Sequence, residues 1–486
     1  MSHCSEGPTA ELLPSIHNPC PRRHAMEQAL APAPPSTSTS GLRPNILSPV
    51  ETLAQSISTI APTTSPTMTI PLVFVLAGNG TWLAYLLATA AVLLIALTIS
   101  RFARYTSCSG SLYTYATSSL PPLVSGIAGW ALLLAYIATG AAVTGGFINY
   151  ANVFLLSLVG HSAPAIALAA LCVVTATGIA YRDVQVSARL MLWIEAISVA
   201  MIAIVLGLLL YRNGLHFDHA QLGLHGVTPS AVRLGVVLAL FSFVGFESAT
   251  TLGHEAVNPL RTIPRAVIQS AIFCGLFFVL CAYLETLGMA AAHQDLGTNT
   301  APLRALSTLA GVPLLGPFID LGAMVSMFAC TLACITAAAR VLMRMAHNGL
   351  AHRQLSTAHN TNATPASAVL LIGVLTLLLV GSLAARGISG SDIYGWMGSL
   401  SVYGFLTTYG LAAIALPFYL HRNHHLTSTN LLLSVAAVLA IFLALAGTLY
   451  PVPAAPYNFL PYLYLAYILC GMAWHFITTR NQTASR

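Results

Sequence analysis

Leu238-Ala-Leu-Phe-Ser-Phe-Val-Gly-Phe-Glu-Ser-Ala-Thr-Thr-Leu-Gly-His-Glu-Ala-Val-Asn-Pro-Leu-Arg-Thr-Ile-Pro-Arg265 begins apolar enough to lie inside a bilayer, yet it carries the ionisable Glu247 beside Gly245. A carboxylate at membrane depth costs about 2.5–3.5 kcal/mol on insertion scales, so it faces a partner or a watery cavity rather than lipid. A glycine beside it lets the backbone unwind and offer peptide groups to a ligand. The stretch therefore reads as a broken transmembrane helix lining a binding site, ending in a polar, proline-punctuated turn.

The rest of the chain supplies the membrane. Hydrophobic residues make up 56% and charged residues 7% of the 486, against roughly 25% charged in soluble domains. The formal charge of +6 comes from scattered arginines, with no lysine and no basic stripe, so nucleic acid is excluded as a partner. The nine cysteines show no metal spacing; Cys330 and Cys334 share a helix face but lack a third ligand. Residues 1–48 have no signal-peptide core and are rich in Pro, Ser, Thr and Ala, which predicts a disordered tail, with Met26 as a second candidate start.

Apolar runs of bilayer length fall at about 50–77, 82–100, 124–158, 163–181, 188–211, 231–254, 265–290, 312–341, 366–385, 393–420, 430–449 and 457–478. The expected fold is all-α and integral to the membrane, with twelve transmembrane helices. Arginines in short loops are concentrated on one side when both termini are cytoplasmic, which predicts a multi-pass protein of the cytoplasmic membrane. Spans one and six are both interrupted, spans three and eight are the longest, and long connections follow spans two and seven on opposite faces. That pattern predicts a five-plus-five inverted repeat: a first half over 49–211, a second over 212–422, and two extra helices with the C-terminal tail over 423–486.

The interruption of span one falls at Ile60-Ala-Pro-Thr-Thr-Ser65, where Pro62 removes a helix bond. Amides opening the next half-helix carry a positive dipole end suited to a carboxylate. The interruption of span six at Val244-Gly-Phe-Glu247 offers carbonyls suited to an ammonium. Ile60, Ala61, Pro62, Thr63 and Thr64 with Phe241, Phe243, Val244, Gly245 and Phe246 are the expected substrate-binding residues, at least one phenylalanine facing the cavity. Glu247 is the candidate for taking up and releasing a proton. Glu195, Glu285 and Asp320 read as structural: Glu195 pairs with an arginine such as Arg189, and the other two reach water near the outer ends of their spans. Tyr136, Thr139, Ser326 and Cys330 are candidates for the scaffold side, and His254 neighbours Glu255 at the inner mouth.

Phe243-Val-Gly-Phe-Glu247 followed by Gly253-His-Glu-Ala-Val-Asn-Pro-Leu-Arg-Thr-Ile-Pro264 resembles the sixth-helix signature of the amino acid–polyamine–organocation permeases. Ser107-Cys-Ser-Gly-Ser-Leu-Tyr-Thr-Tyr115, Gly129-Trp130, and Ala339-Arg-Val-Leu-Met-Arg-Met-Ala-His-Asn-Gly-Leu350 with Thr364-Pro365 resemble three further stretches of that superfamily, in order. The resemblance, to its amino acid permease branch, covers about residues 48–422. It implies the same five-plus-five repeat and secondary transport, with Glu247 at a glutamate tied to gating and proton coupling and Phe241 at an aromatic gate. Ala61-Pro62-Thr63 departs from the usual Gly-Ser-Gly-like form, and His254 stands where an acid is common. The absence of lysine removes any mechanism based on a helix-five lysine.

The expected function is alternating-access, proton-coupled uptake of an amino acid or related organic cation. Proton is the coupling ion with sodium as the alternative, and no cofactor or metal is involved. An amino acid/amine exchanger, a polyamine permease and a permease-like sensor are the rival readings. An intramembrane enzyme is disfavoured because no Ser/His, paired-Asp or His-Glu-x-x-His constellation is present.

Overall fold

The computed structural model describes residues 42, 44–106, 109–182, 185–212, 214, 217–359, 364–450 and 452–484, without the side chains of 185–191 and 477–484. Most of the expected 1–48 tail lies outside them. Every named element is helical, and the one β contact among the described residues is an isolated parallel bridge between Leu47 and Ala256. An apolar solvent dictates this, since helices satisfy their own peptide groups where no water can.

The first half runs α1 (Pro49–Ile60), α2 (Ile70–Ala77), α3 (Thr81–Ala103), α4 (Ser111–Thr117), α5 (Pro122–Val159), α6 (Ala165–Arg182) and α7 (Gln185–Arg212). There follow α8 (His219–Leu222), α9 (Pro229–Phe241), α10 (Pro259–Ala291), α11 (Pro302–Leu309), α12 (Leu315–His347), α13 (Ala366–Ala385) and α14 (Gly390–Arg422). The chain closes with α15 (Ser428–Leu449) and α16 (Leu460–Ala484). Among the described residues ten stretches are long and apolar enough to cross a membrane; the first is the interrupted Pro49–Ala103, and the shorter apolar Pro229–Phe241 stands beside them. The 38-residue α5 is a central post, packed along both α14 and α12. Its small residues let neighbours approach: a Cβ on Gly404 of α14 would meet the Ala131 carbonyl oxygen at 2.5 Å.

Local sequence sets where the two broken spans start and stop. The Ser48 hydroxyl caps the Glu51 amide at 3.3 Å, while the Glu51 carboxylate accepts from the Ser48 amide at 2.8 Å, with Pro49 in the first turn. This reciprocal cap fixes the start of α1. At its other end Ala61 turns left-handed (φ 51°) and Pro62 cannot donate, so the helix stops. The chain resumes as a π turn over Ser65–Thr69 before α2. α9 ends at Phe241; an irregular run with Gly245 at φ 90° carries the chain through Glu247 into a 3-10 turn, Ser248–Leu252. Left-handed Asn258 and Pro259 then open α10.

The end of the expected tail is tied to this second break. Ile46 and Leu47 both donate amides to the Glu255 carbonyl at 2.9 Å, and the Val257 amide donates to the Leu47 carbonyl at 2.9 Å. Composition carries no sign of this pairing, which is made by backbone alone.

Candidate functional site

The two breaks face each other across a seam of hydroxyl groups. Ser56 on α1 donates to the Phe246 carbonyl at 2.7 Å and accepts from the Ala249 amide at 3.1 Å. Thr59 meets Ser248 hydroxyl to hydroxyl at 2.9 Å, and Ser248 donates to the Gln55 carbonyl at 3.1 Å. Small β-hydroxyl residues suit this place because they satisfy peptide groups that an interrupted helix leaves bare.

Beside the seam lies a small cavity lined by the buried residues Thr59, Ile60, Thr64, Ser65, Thr139 and Val143 with Phe241, Ser242, Val244, Cys330 and Tyr394. Its free space is about 10 Å³, room for one water-sized molecule. An amino acid therefore enters only when the lining moves. No lining residue is charged. The hydroxyls of Thr64 and Thr139 are buried without a hydrogen-bond partner, so two polar groups stand ready beside apolar walls. Two larger clefts, of about 550 and 480 Å³, are lined mainly by apolar side chains along helix surfaces; the first carries one charged residue, Arg233, and neither touches the two helix breaks.

Ile60, Thr64, Phe241 and Val244 are the sequence candidates that line this cavity, and Thr139 and Cys330 of the scaffold candidates join them. Ala61, Pro62 and Thr63 form the first break but are not among the lining residues. The Phe241 ring lies 5.3 Å from Tyr394 edge to face, fitted against Gly398, and Tyr394 shares a 2.6 Å hydrogen bond with Thr69 at the start of α2. Phe243 packs on Phe278 and Phe246 on Tyr409, away from the cavity. Gly245 turns its backbone against Thr59, where a Cβ would collide with the threonine side chain.

Glu247 is fully buried and does not line the cavity. One carboxylate oxygen accepts from the Tyr136 phenol of α5 at 2.7 Å, the other from the Tyr409 phenol of α14 at 2.6 Å. Tyr136 thus holds the acid instead of facing a solute. The Arg189 side chain expected beside Glu195 lies outside the described residues; of the Glu195 oxygens, one accepts from the Thr63 hydroxyl at 3.0 Å and the other from Ser326 of α12. Glu285 does not reach water. It is fully buried in α10, and both oxygens lack a hydrogen-bond partner. Asp320 is buried too, because Arg304 of α11 folds over it as an ion pair.

At the α1 side of the seam, Arg340 of α12 grips Glu255 through two parallel hydrogen bonds of 2.7 and 2.8 Å, both side chains buried. A guanidinium matches a carboxylate in this two-point way and a point charge does not. His254 lies next in sequence, partly exposed. Cys330 donates to the Thr59 carbonyl at 3.0 Å. Among the described residues no cluster of three or more His, Cys, Asp or Glu is placed to hold a metal.

Sequence reasoning missed Tyr394, Thr59, Val143 and Ser242. Tyr394 gave no signal, being one aromatic in a span apolar on every face.

The sequence profile of the family described as "Amino acid permease" matches residues 52–484. The branched-chain amino acid permease BcaP of Bacillus subtilis is 28% identical over 64% of this chain and 68% of its own. The low-affinity putrescine importer PlaP of Escherichia coli is 25% identical over 61% of this chain and 66% of its own. Among solved structures, MhsT in complex with L-phenylalanine shares the fold with a TM-score of 0.53 at 16% identity, covering 81% of this chain and 98% of that chain. The named relatives are transporters, not enzymes.

Proposed function

Because the chain belongs to the amino acid permease family, we propose that it carries a small apolar amino acid across the cytoplasmic membrane by alternating access, as proton-coupled uptake. One observation carries this reading: a small, uncharged cavity of buried residues between two facing helix breaks, with unpartnered hydroxyls on Thr64 and Thr139 and apolar walls from Ile60, Val143, Phe241 and Val244. Peptide groups at the breaks complement the two charges of a zwitterion, and the apolar walls suit a hydrocarbon side chain. A diamine needs acidic side chains at both ends, and no acid lines this cavity. The name of BcaP, a branched-chain amino acid permease, points the same way.

Counting Pro49–Ala103 as two crossings and α9 with its following turns as another yields twelve spans. The matching interruptions support their division into two inverted halves, 49–211 and 212–422. The arginine asymmetry supports cytoplasmic termini. Glu247 is the coupling carboxylate in this account: buried in the sixth span and joined to α5 and α14, it is placed to change partners as the halves move.

The test is a thermal-shift screen of the twenty amino acids and common polyamines on purified protein, followed by counterflow in proteoliposomes. Leucine, isoleucine, valine or a similar solute should both stabilise the protein and exchange across the bilayer. Stabilisation by putrescine alone, or no counterflow of any amino acid, would overturn the assignment.

A further inference from the structure

Glu195 sits in the wall of a membrane span, 1% exposed, and belongs to neither ion pair found among the described residues. Its two oxygens are held by different parts of the molecule. Thr63, two residues past the left-handed Ala61, donates its hydroxyl to one at 3.0 Å; Ser326 of α12 donates to the other. One turn further along α12, Cys330 donates to the Thr59 carbonyl on the near side of the same break. The carboxylate therefore fastens the first break to α7 and α12 at once.

The elements packed against α7 are α1, α10, α11 and α12. The titratable side chains on them that feel the charge of Glu195 are thiols, Cys274 of α10 and Cys330 of α12. The other acids and bases nearby on those elements are engaged or apart: Glu51 caps α1, Arg304 pairs with Asp320, Arg340 pairs with Glu255, and Glu285 stands alone on α10. Among the described residues no cation pairs with the carboxylate, and the Thr63 and Ser326 hydroxyls both aim hydrogens at it. That arrangement fits an ionised acid. A proton arriving there cancels the negative charge that strengthens both bonds and adds a competing donor, so the hold of the two hydroxyls weakens.

We propose that Glu195 is a second proton-binding site of the transport cycle, and that its protonation unfastens the first helix break. The idea rests on the chain being a transporter, but its carboxylate is distinct from Glu247 and acts on the opposite break.

The test measures amino acid counterflow, with no gradient imposed, across about pH 5 to 8 in proteoliposomes of the full chain. Exchange in the wild type should rise as pH falls through the titration of Glu195. In Glu195→Gln, which imitates the protonated form, exchange should be fast and flat. Glu195→Asp should restore a pH dependence. Ser326→Ala withdraws one donor from the carboxylate, so the proton binds more readily and the rise moves to higher pH; this variant serves if the glutamine protein does not fold. An unchanged rise in Glu195→Gln, or an unmoved midpoint in Ser326→Ala, would overturn the proposal. So would a slope that follows sodium at fixed pH. Absence of counterflow in the wild type would instead sink the transporter reading itself.

Discussion

The two interrupted spans solve one problem by opposite means. The first break uses a residue that cannot donate to a helix, Pro62, after a left-handed Ala61, and borrows a carboxylate from α7 to hold Thr63. The second uses a residue that tolerates any backbone, Gly245 at φ 90°, and sends its own Glu247 outward to phenols on α5 and α14. In both, a buried acid ties a length of unwound chain to the longer helices around it. The lesson is that a gap in a membrane helix has to be anchored sideways once its own ladder of hydrogen bonds is lost.

Substitutions can test whether the difference is real. Gly245→Val should do the greatest harm, since it combines a β-branched residue at positive φ with a collision against Thr59. A loss of about 3 kcal/mol or more is expected, read as a lowered unfolding midpoint in detergent and lost substrate stabilisation. An unchanged protein would mean the second break does not depend on glycine. Tyr409→Phe and Tyr136→Phe each leave one Glu247 oxygen bare, at a cost of about 1.5–3 kcal/mol by the same melting assay. The double variant should cost less than their sum if the acid then finds a new partner.

Glu247→Gln keeps shape and removes the titrating group. Uptake driven by a pH gradient should fall at least about tenfold, equivalent to about 1.4 kcal/mol, with the protein still in the membrane. Undiminished proton-driven uptake would confine Glu247 to a structural tie. The smallest effect belongs to Ala61→Gly. Relief of the left-handed strain is opposed by greater freedom of the unfolded chain, so stability should move by less than about 1 kcal/mol. A large loss would show that the buried Ala61 methyl matters more than its backbone.

Much of this was legible in the sequence, and the reason is chemical. Pro62 and Gly245 interrupt apolar runs, and such interruptions are few enough to stand out. Glu247 draws notice because an acid in hydrocarbon demands an explanation. What could not be read is where the side chains point. The long spans are apolar on nearly every face, so periodicity carries no stripe to say which residues turn inward. Tyr136, Thr139, Ser326 and Cys330 were identifiable as polar groups in long spans, yet only geometry separates the two that line the cavity from the two that hold acids. The partner of Glu195 was out of reach for the same cause: Thr63 lies 132 positions away in the chain.

The clasp formed by Arg340, Glu255 and Leu47 has a mechanical consequence. One residue, Glu255, receives the guanidinium on its side chain and two amides on its carbonyl, so three strands of the molecule are knotted at a single point. Such a knot cannot slacken by degrees, because losing the arginine strands a bare acid in a dry place. Parting these segments should therefore break the bonds together, as one concerted event instead of a gradual loosening.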